Sequence, residues 1–77
     1  MEHYILASNL KEGQKFHFYK TAVIGAICKN STIYTCATPT MIFTCTSIGD
    51  DYFYFISARG IKYRAGAAFS VVAVVNE

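Results

Sequence analysis

The chain has 77 residues, of which 53% are apolar and 16% are charged, and its formal net charge is +2. This length supports one hydrophobic core and therefore one domain, residues 1–77. A charged share below the usual value of about 25% argues against disorder, and the slight positive charge argues against a nucleic-acid coat or a polybasic membrane binder.

The N-terminal segment, MEHYILASNLKEG, does not have the basic-then-apolar order of a secretory signal. The longest apolar run of the N-terminal half, AVIGAIC at residues 22–28, is far shorter than the roughly 20 residues with which a helix crosses a bilayer. We therefore expect a protein of the cytoplasm, or of the host cytoplasm if a phage encodes it, that makes no contact with a membrane.

The first strand is predicted at KFHFYK, after a glycine turn. Apolar and polar side chains alternate there, so Phe16 and Phe18 face one way while Lys15, His17 and Tyr19 face the other. This alternation is typical of a half-buried strand.

The following twenty residues, 21–40, allow more than one interpretation. Residues 22–28 fit either a strand interrupted by Gly25 or one short helical turn, because so short a run has no decisive periodicity. The segment IYTCAT then predicts extended chain that ends before Pro39, since proline has no backbone N–H to donate within a central strand.

The three cysteines, Cys28, Cys36 and Cys45, form no C-x-x-C pair. Their spacing favours free, buried thiols in a reducing compartment. Two alternatives stay open: a three-thiolate metal site completed by His17, and a disulfide between two of the three cysteines. The favoured interpretation requires no metal and no other cofactor.

Three strands joined by short turns are predicted from Met41 onward. The segments MIFTCTSI, DYFYFIS and IKYR are rich in β-branched and aromatic residues, and glycine-containing turns separate them. This order predicts an antiparallel meander. On its second strand we expect Phe53 and Phe55 to face the core, and Tyr52 and Tyr54 to face water.

The C-terminal segment predicts a short turn or one 3₁₀ turn at AGAAF and a last strand at SVVAVV. That strand is apolar at every position from 71 to 75, so both of its faces need cover, either inside the domain or from another chain. In the second case Val71, Val72 and Val74 would form an oligomer interface.

Taken in order, these segments resemble a small SH3-like antiparallel β-barrel of five to six strands. LKEGQKF is similar to the opening of such domains, MIFTCTSIGDDYFYFISARGIKYRAG to their central meander, and AAFSVVAVV to their 3₁₀ turn and last strand. Short phage and bacterial accessory proteins often have this outline, with residues 21–40 here forming an unusually long first loop. The resemblance implies an all-β fold that binds peptides, proteins or nucleic acid and has no common catalytic residues; an OB-like barrel is the alternative.

Few residues are suited to catalysis. The candidate bases are His3 and His17, and Asp50 and Asp51 lie in a predicted turn where carboxylates commonly accept backbone hydrogen bonds. The phosphate-loop, dinucleotide and zinc-protease motifs do not occur in the sequence. We expect that the protein is not an enzyme.

The candidate partner-binding surface combines tyrosines with cations. Tyr52 and Tyr54 share one strand face, and Lys62 and Arg64 share a face of the next strand. If the strand register brings these pairs together beside the polar face of the first strand, one mixed surface results. It would consist of Tyr52, Tyr54, Lys62, Arg64, Lys15, His17 and Tyr19.

Three interpretations of this surface stay open. The side chains could simply pack across strands, bind a protein through the tyrosines and arginine that are enriched at interface hot spots, or bind unpaired bases and phosphates. The low net charge favours a protein over nucleic acid. The sequence therefore predicts a non-catalytic protein-binding module, such as a phage-type accessory protein that binds or inhibits a host component, or a homo-oligomer; the alternative is a single-stranded DNA- or RNA-binding barrel.

Overall fold

The computed structural model describes residues 4–67 and 70–75, and in these it contains eight strands and one 3₁₀ turn, Ala7–Asn9. The strands are β1 (Tyr4–Leu6), β2 (Lys15–Phe18), β3 (Ala22–Cys28), β4 (Ser31–Ala37), β5 (Phe43–Ile48), β6 (Tyr52–Ser57), β7 (Lys62–Gly66) and β8 (Val71–Val74). The described residues form no helix long and apolar enough to span a bilayer. The all-β prediction is confirmed.

The eight strands form one antiparallel sheet in the order β1-β8-β2-β5-β6-β7-β3-β4. The sheet does not close, so β1 and β4 are its edges. The predicted meander is confirmed, since β5, β6 and β7 are neighbours in chain order. A β-bulge interrupts the β5–β6 register between Cys45 and Ser47, and such a bulge bends a strand and increases its twist.

Phenylalanine side chains fill the inner face of the curved sheet. Ring centroids within this group lie 4.9 to 6.3 Å apart, the range favoured by edge-to-face and offset packing. Each fully buried ring contributes about 1.5–3 kcal/mol of hydrophobic stabilisation. The group consists of Phe16, Phe18, Phe43, Phe53 and Phe55, each at most 1% exposed.

Residues 21–40 differ most from their predicted structure. They form a regular β3–β4 hairpin with seven consecutive register pairs, from Ala22–Ala37 to Cys28–Ser31, so the helical turn and the long loop are both wrong. Its β-branched residues and two-residue turn, with Lys29 at φ 49°, favour this hairpin. Because this segment adds two strands and the unpredicted β1 adds another, the sheet has eight strands rather than five to six.

The last strand lies inside the sheet. β8 pairs with β1 on one side and β2 on the other, and both Val72 and Ala73 are fully buried although they face opposite ways. Val74 packs against the core, and only Val71 is exposed. The expected interface of Val71, Val72 and Val74 is corrected for Val72 and Val74, which face the core, whereas Val71 is exposed on the other face of the strand. Part of the predicted AGAAF turn, residues 68–69, lies outside the described residues.

Candidate binding surface

The strand register assembles a row of side chains on the outer face of four neighbouring strands. Tyr54 of β6 lies opposite Arg64 of β7, Arg64 lies opposite Gly25 of β3, and Gly25 lies opposite Tyr34 of β4. Paired residues in adjacent strands share a face of the sheet. Arg64 is thus placed between Tyr54 and Tyr34, and only Gly25 separates it from Tyr34.

Arg64 contacts a further tyrosine of β6, Tyr52. Its Cζ atom lies 4.8 Å from the centroid of the Tyr52 ring, which is a cation–π contact. Tyr52 is diagonal to Arg64 and directly opposite Gly66, which has no side chain to compete for this space. The contact therefore holds the guanidinium group over a defined part of the sheet.

Gly25 allows the neighbouring side chains to approach one another. An added Cβ atom at this position would lie 2.6 Å from Cγ2 of Thr32, 3.6 Å from Cε1 of Tyr34 and 3.7 Å from Cγ of Arg64. The side chains of Tyr34 and Arg64 therefore extend over the glycine from opposite sides. A larger residue at position 25 would separate them.

The resulting surface is the tyrosine–arginine face, which we define by Tyr34, Tyr52, Tyr54, Lys62, Arg64 and Val23. Tyr34 is 69% exposed, Val23 68% and Tyr52 43%, whereas Tyr54 and Arg64 are half-buried. Neither Tyr34 nor Val23 belongs to the predicted site. The alternation in IYTCAT marks Tyr34 and Cys36 as sharing one face, but only the pairing of β3 with β7 places that face beside Arg64.

The seven predicted site residues separate into two groups. Four of them lie together: Tyr52, Tyr54, Lys62 and Arg64. Lys15 lies in the same outer row as Lys62, three strands away. The register pairs that connect the two lysines are Lys15–Thr44, Thr44–Ile56 and Ile56–Lys62. At about 4.8 Å per strand, the Cα atoms of Lys15 and Lys62 are roughly 14 Å apart.

The other two predicted residues lie towards β1 and β8. His17 is half-buried opposite Ala73, and its Nδ1 atom is 3.1 Å from the carbonyl oxygen of Phe18. Tyr19 packs edge-on against Tyr4, with ring centroids 4.7 Å apart. They line a different part of the outer surface from the tyrosine–arginine face. His3, the remaining base candidate, lies outside the described residues.

The cysteines do not form one site. Cys28 and Cys36 are exposed, so the prediction of buried thiols is right only for Cys45. Cys28 shares a hairpin face with Ile24 and Cys36 shares the opposite face with Val23, which prevents a disulfide between them. The described residues hold no cluster of three or more histidine, cysteine or acidic side chains placed to bind a metal ion.

Burial raises the pKa of the Cys45 thiol above its ordinary value of 9.0, and the nearby charge of Glu12 raises it further. A backbone hydrogen bond at Ser47 acts in the opposite direction and is weaker. The thiol is thus neutral and poorly nucleophilic at physiological pH, as expected of a core side chain.

An apolar pocket of about 370 Å³ lies beside the β6–β7 turn. The hydroxyl group of Ser57 accepts hydrogen bonds from the backbone N–H groups of Arg59 and Ile61, so it holds the turn in place. The lining has no histidine, cysteine or carboxylate that could activate this hydroxyl group. It consists of Met41, Ile42, Phe43, Ser57, Ala58, Arg59, Ile61 and Tyr63.

Comparison with known proteins gives no relative. No protein-family model matches the chain, and neither a curated protein nor a solved structure is significantly similar to it.

Proposed function

We propose that this chain is a non-catalytic binding module that holds a protein partner on its tyrosine–arginine face. The observation that carries the proposal is the position of Arg64, between Tyr54 and Tyr34 in the strand register and in cation–π contact with Tyr52. Tyrosine and arginine are the residue types enriched at protein–protein hot spots, where they cluster near the centre of the interface.

Arg64 is suited to binding a carboxylate. The cation–π contact with Tyr52 uses the charge of the guanidinium group, and the fork geometry of its N–H groups matches a carboxylate in a bidentate pair. Because the Tyr52 ring already restricts the side chain, less conformational entropy is lost when a partner binds. We therefore expect an acidic side chain of the partner to contact Arg64.

The surroundings of Arg64 supply apolar contact area. Val23 and Tyr34 are the most exposed large apolar side chains of the described residues, and both lie on this face. Lys62 extends the positive charge towards the rim. An apolar centre with a polar rim is the usual anatomy of a protein interface.

Single-stranded nucleic acid is the less favoured ligand. Base stacking needs open aromatic faces, and Arg64 already covers one face of Tyr52. More specifically, we propose that the chain is an SH3-like accessory protein of phage type that binds or inhibits a host component.

Affinity capture from a lysate of the native host tests this proposal. We expect the double variant Tyr34→Ala/Arg64→Ala to capture at least about tenfold less of a partner protein than the wild type captures, because truncating a hot-spot residue costs about 2 kcal/mol or more. The matched control is Tyr19→Ala/Lys20→Ala, which removes one exposed tyrosine and one exposed cation elsewhere. The control should retain the protein, and equal capture by both variants would refute the proposal.

Titration with a labelled single-stranded oligonucleotide at two salt concentrations tests the alternative. Binding that falls steeply with salt and disappears in Tyr34→Ala/Arg64→Ala would replace the protein partner with nucleic acid. We expect no binding even at low salt.

A further inference from the structure

The two edges of the sheet differ in how they are protected from pairing with another chain. In the part of the chain that the structure describes, β1 has three residues, whereas β4 has seven and continues without a bulge along β3. Natural edge strands are usually short, charged, bulged or interrupted by proline. Residues 31–38, STIYTCAT, contain no charge and no proline, and Ile33 and Tyr34 are 57% and 69% exposed.

The hairpin geometry determines which backbone groups of β4 face outward. The two-residue turn at residues 29–30 makes Cys28 and Ser31 a hydrogen-bonded pair. Because such pairs alternate along an antiparallel ladder, every second residue of β4 from Ser31 onward bonds to β3. The N–H and C=O groups of Thr32, Tyr34 and Cys36 therefore point away from the sheet.

We propose that β4 pairs antiparallel with β4 of a second copy of this chain, about a two-fold axis at Tyr34. Tyr34 then lies opposite its own counterpart, and Thr32 lies opposite Cys36 of the second copy. Three outward N–H groups from each of two copies give about six hydrogen bonds in this register, and every outward group is used. A shift of register would leave some of these groups unpaired.

The charge distribution favours a second copy in this orientation. The cation nearest to β4 in the sequence, Lys29, lies at one end of the hairpin, five residues from Tyr34. In an antiparallel pair the two Lys29 residues are at opposite ends, roughly 30 Å apart at about 3.4 Å per residue. Like charges at that distance are screened at physiological salt, and β4 itself contributes none.

The symmetry has a consequence for the outer surface. A two-fold axis between antiparallel strands is perpendicular to the sheet, so both tyrosine–arginine faces point to the same side. The dimer would present two such faces as one surface, with the two Tyr34 side chains adjacent at its centre. Two paired strands bury less than the roughly 1,200 Å² of a standard stable interface, so we expect reversible association.

Sedimentation equilibrium between 10 µM and 1 mM tests the pairing. Tyr34→Pro removes one outward N–H group, and proline is tolerated where an edge strand faces solvent; we expect dimerisation to weaken at least about tenfold. The matched variant Tyr34→Ala keeps that N–H group and should still dimerise. A wild-type chain that is monomeric at 1 mM would overturn the inference, and so would a Tyr34→Pro variant that dimerises like the wild type.

Disulfide trapping tests the register without relying on proline. In a Cys28→Ser background, Thr32→Cys places a thiol opposite Cys36 of the second copy, and diamide oxidation should give a covalent dimer. Ser31→Cys is the matched control, because it changes the neighbouring residue, which faces the other side of the sheet. Equal cross-linking of the two variants would exclude this register.

The dimer and the proposed function can fail independently. Arg64→Ala removes the partner contact and should leave sedimentation unchanged, since Arg64 lies two strands away from the free edge of β4. If Arg64→Ala loses partner capture and still forms the dimer, partner binding and dimer formation are separate properties.

Discussion

The phenylalanine core and the β3–β4 hairpin contain similar residue types but differ in burial. In β6, Phe53 and Phe55 are completely buried, whereas in β4 the two largest side chains, Ile33 and Tyr34, are more than half exposed. β6 has neighbours on both sides and five register pairs with β7, while β3 is joined to β7 by only two. Ile24 and Ala37 are the fully buried side chains of the hairpin.

This difference shows that position in the sheet, more than composition, decides what an apolar strand contributes. Central strands fold over a common interior and stabilise the domain. The hairpin buries only one end of its inner face, and its outer face and free edge are left available for contact. We therefore expect stability to depend mainly on the core, and binding and self-association to depend mainly on the hairpin and β7.

The largest expected effect is the loss of a core ring. Phe55→Ala removes a side chain that contacts five other rings, and we expect it to lower the free energy of unfolding by about 3–5 kcal/mol. Ile33→Ala, the matched change in the hairpin, should cost less than about 1 kcal/mol because that side chain is already exposed. Urea unfolding followed by circular dichroism measures both, and equal losses would contradict the comparison.

Thiol labelling provides a second contrast between the two regions. We expect iodoacetamide to modify Cys45 on the order of a hundredfold more slowly than Cys28 and Cys36, because Cys45 is reached only through local opening. Its raised pKa also leaves less thiolate at a given pH. Mass spectrometry of quenched samples gives the three rates. Comparable rates under native conditions would mean that the core opens readily.

A third prediction concerns the close approach over Gly25. Gly25→Ala places a methyl group against the Cγ2 atom of Thr32, and we expect a loss of about 1–3 kcal/mol from overpacking. Thr32→Ser removes that methyl group, so the double variant should recover much of the loss. Thermal unfolding of the two single variants and the double variant forms the test. An unchanged loss in the double variant would place the strain elsewhere.

The smallest expected effect is the coupling between Arg64 and Tyr52. A double-mutant cycle with Arg64→Gln and Tyr52→Leu should give about 0.5–1 kcal/mol, the usual size of an exposed cation–π contact. Lys62 and Tyr52 serve as the control pair, with an expected coupling near zero, because Lys62 lies opposite Ile56 instead. A coupling of equal size in both cycles would indicate a general charge effect.

The sequence by itself determined which side chains face the core in the well-patterned strands. Alternation in KFHFYK and DYFYFIS assigned four phenylalanines to the inside and placed Tyr52 and Tyr54 outside, since the pleat of a strand sends successive side chains to opposite faces. The short turn between β6 and β7 likewise placed Tyr54 and Arg64 on neighbouring strands, whereas their direct pairing depended on a register that the structure supplies.

Only the tertiary structure decided how distant segments meet. Residues 22–28 carry no decisive periodicity, and their strand structure depends on pairing with β4 and β7. Tyr34 joins Arg64, and β8 is covered by β1 and β2, through contacts between segments far apart in the chain. The burial of a shared core selects such pairings. That burial depends on the whole folded chain and not on any single segment.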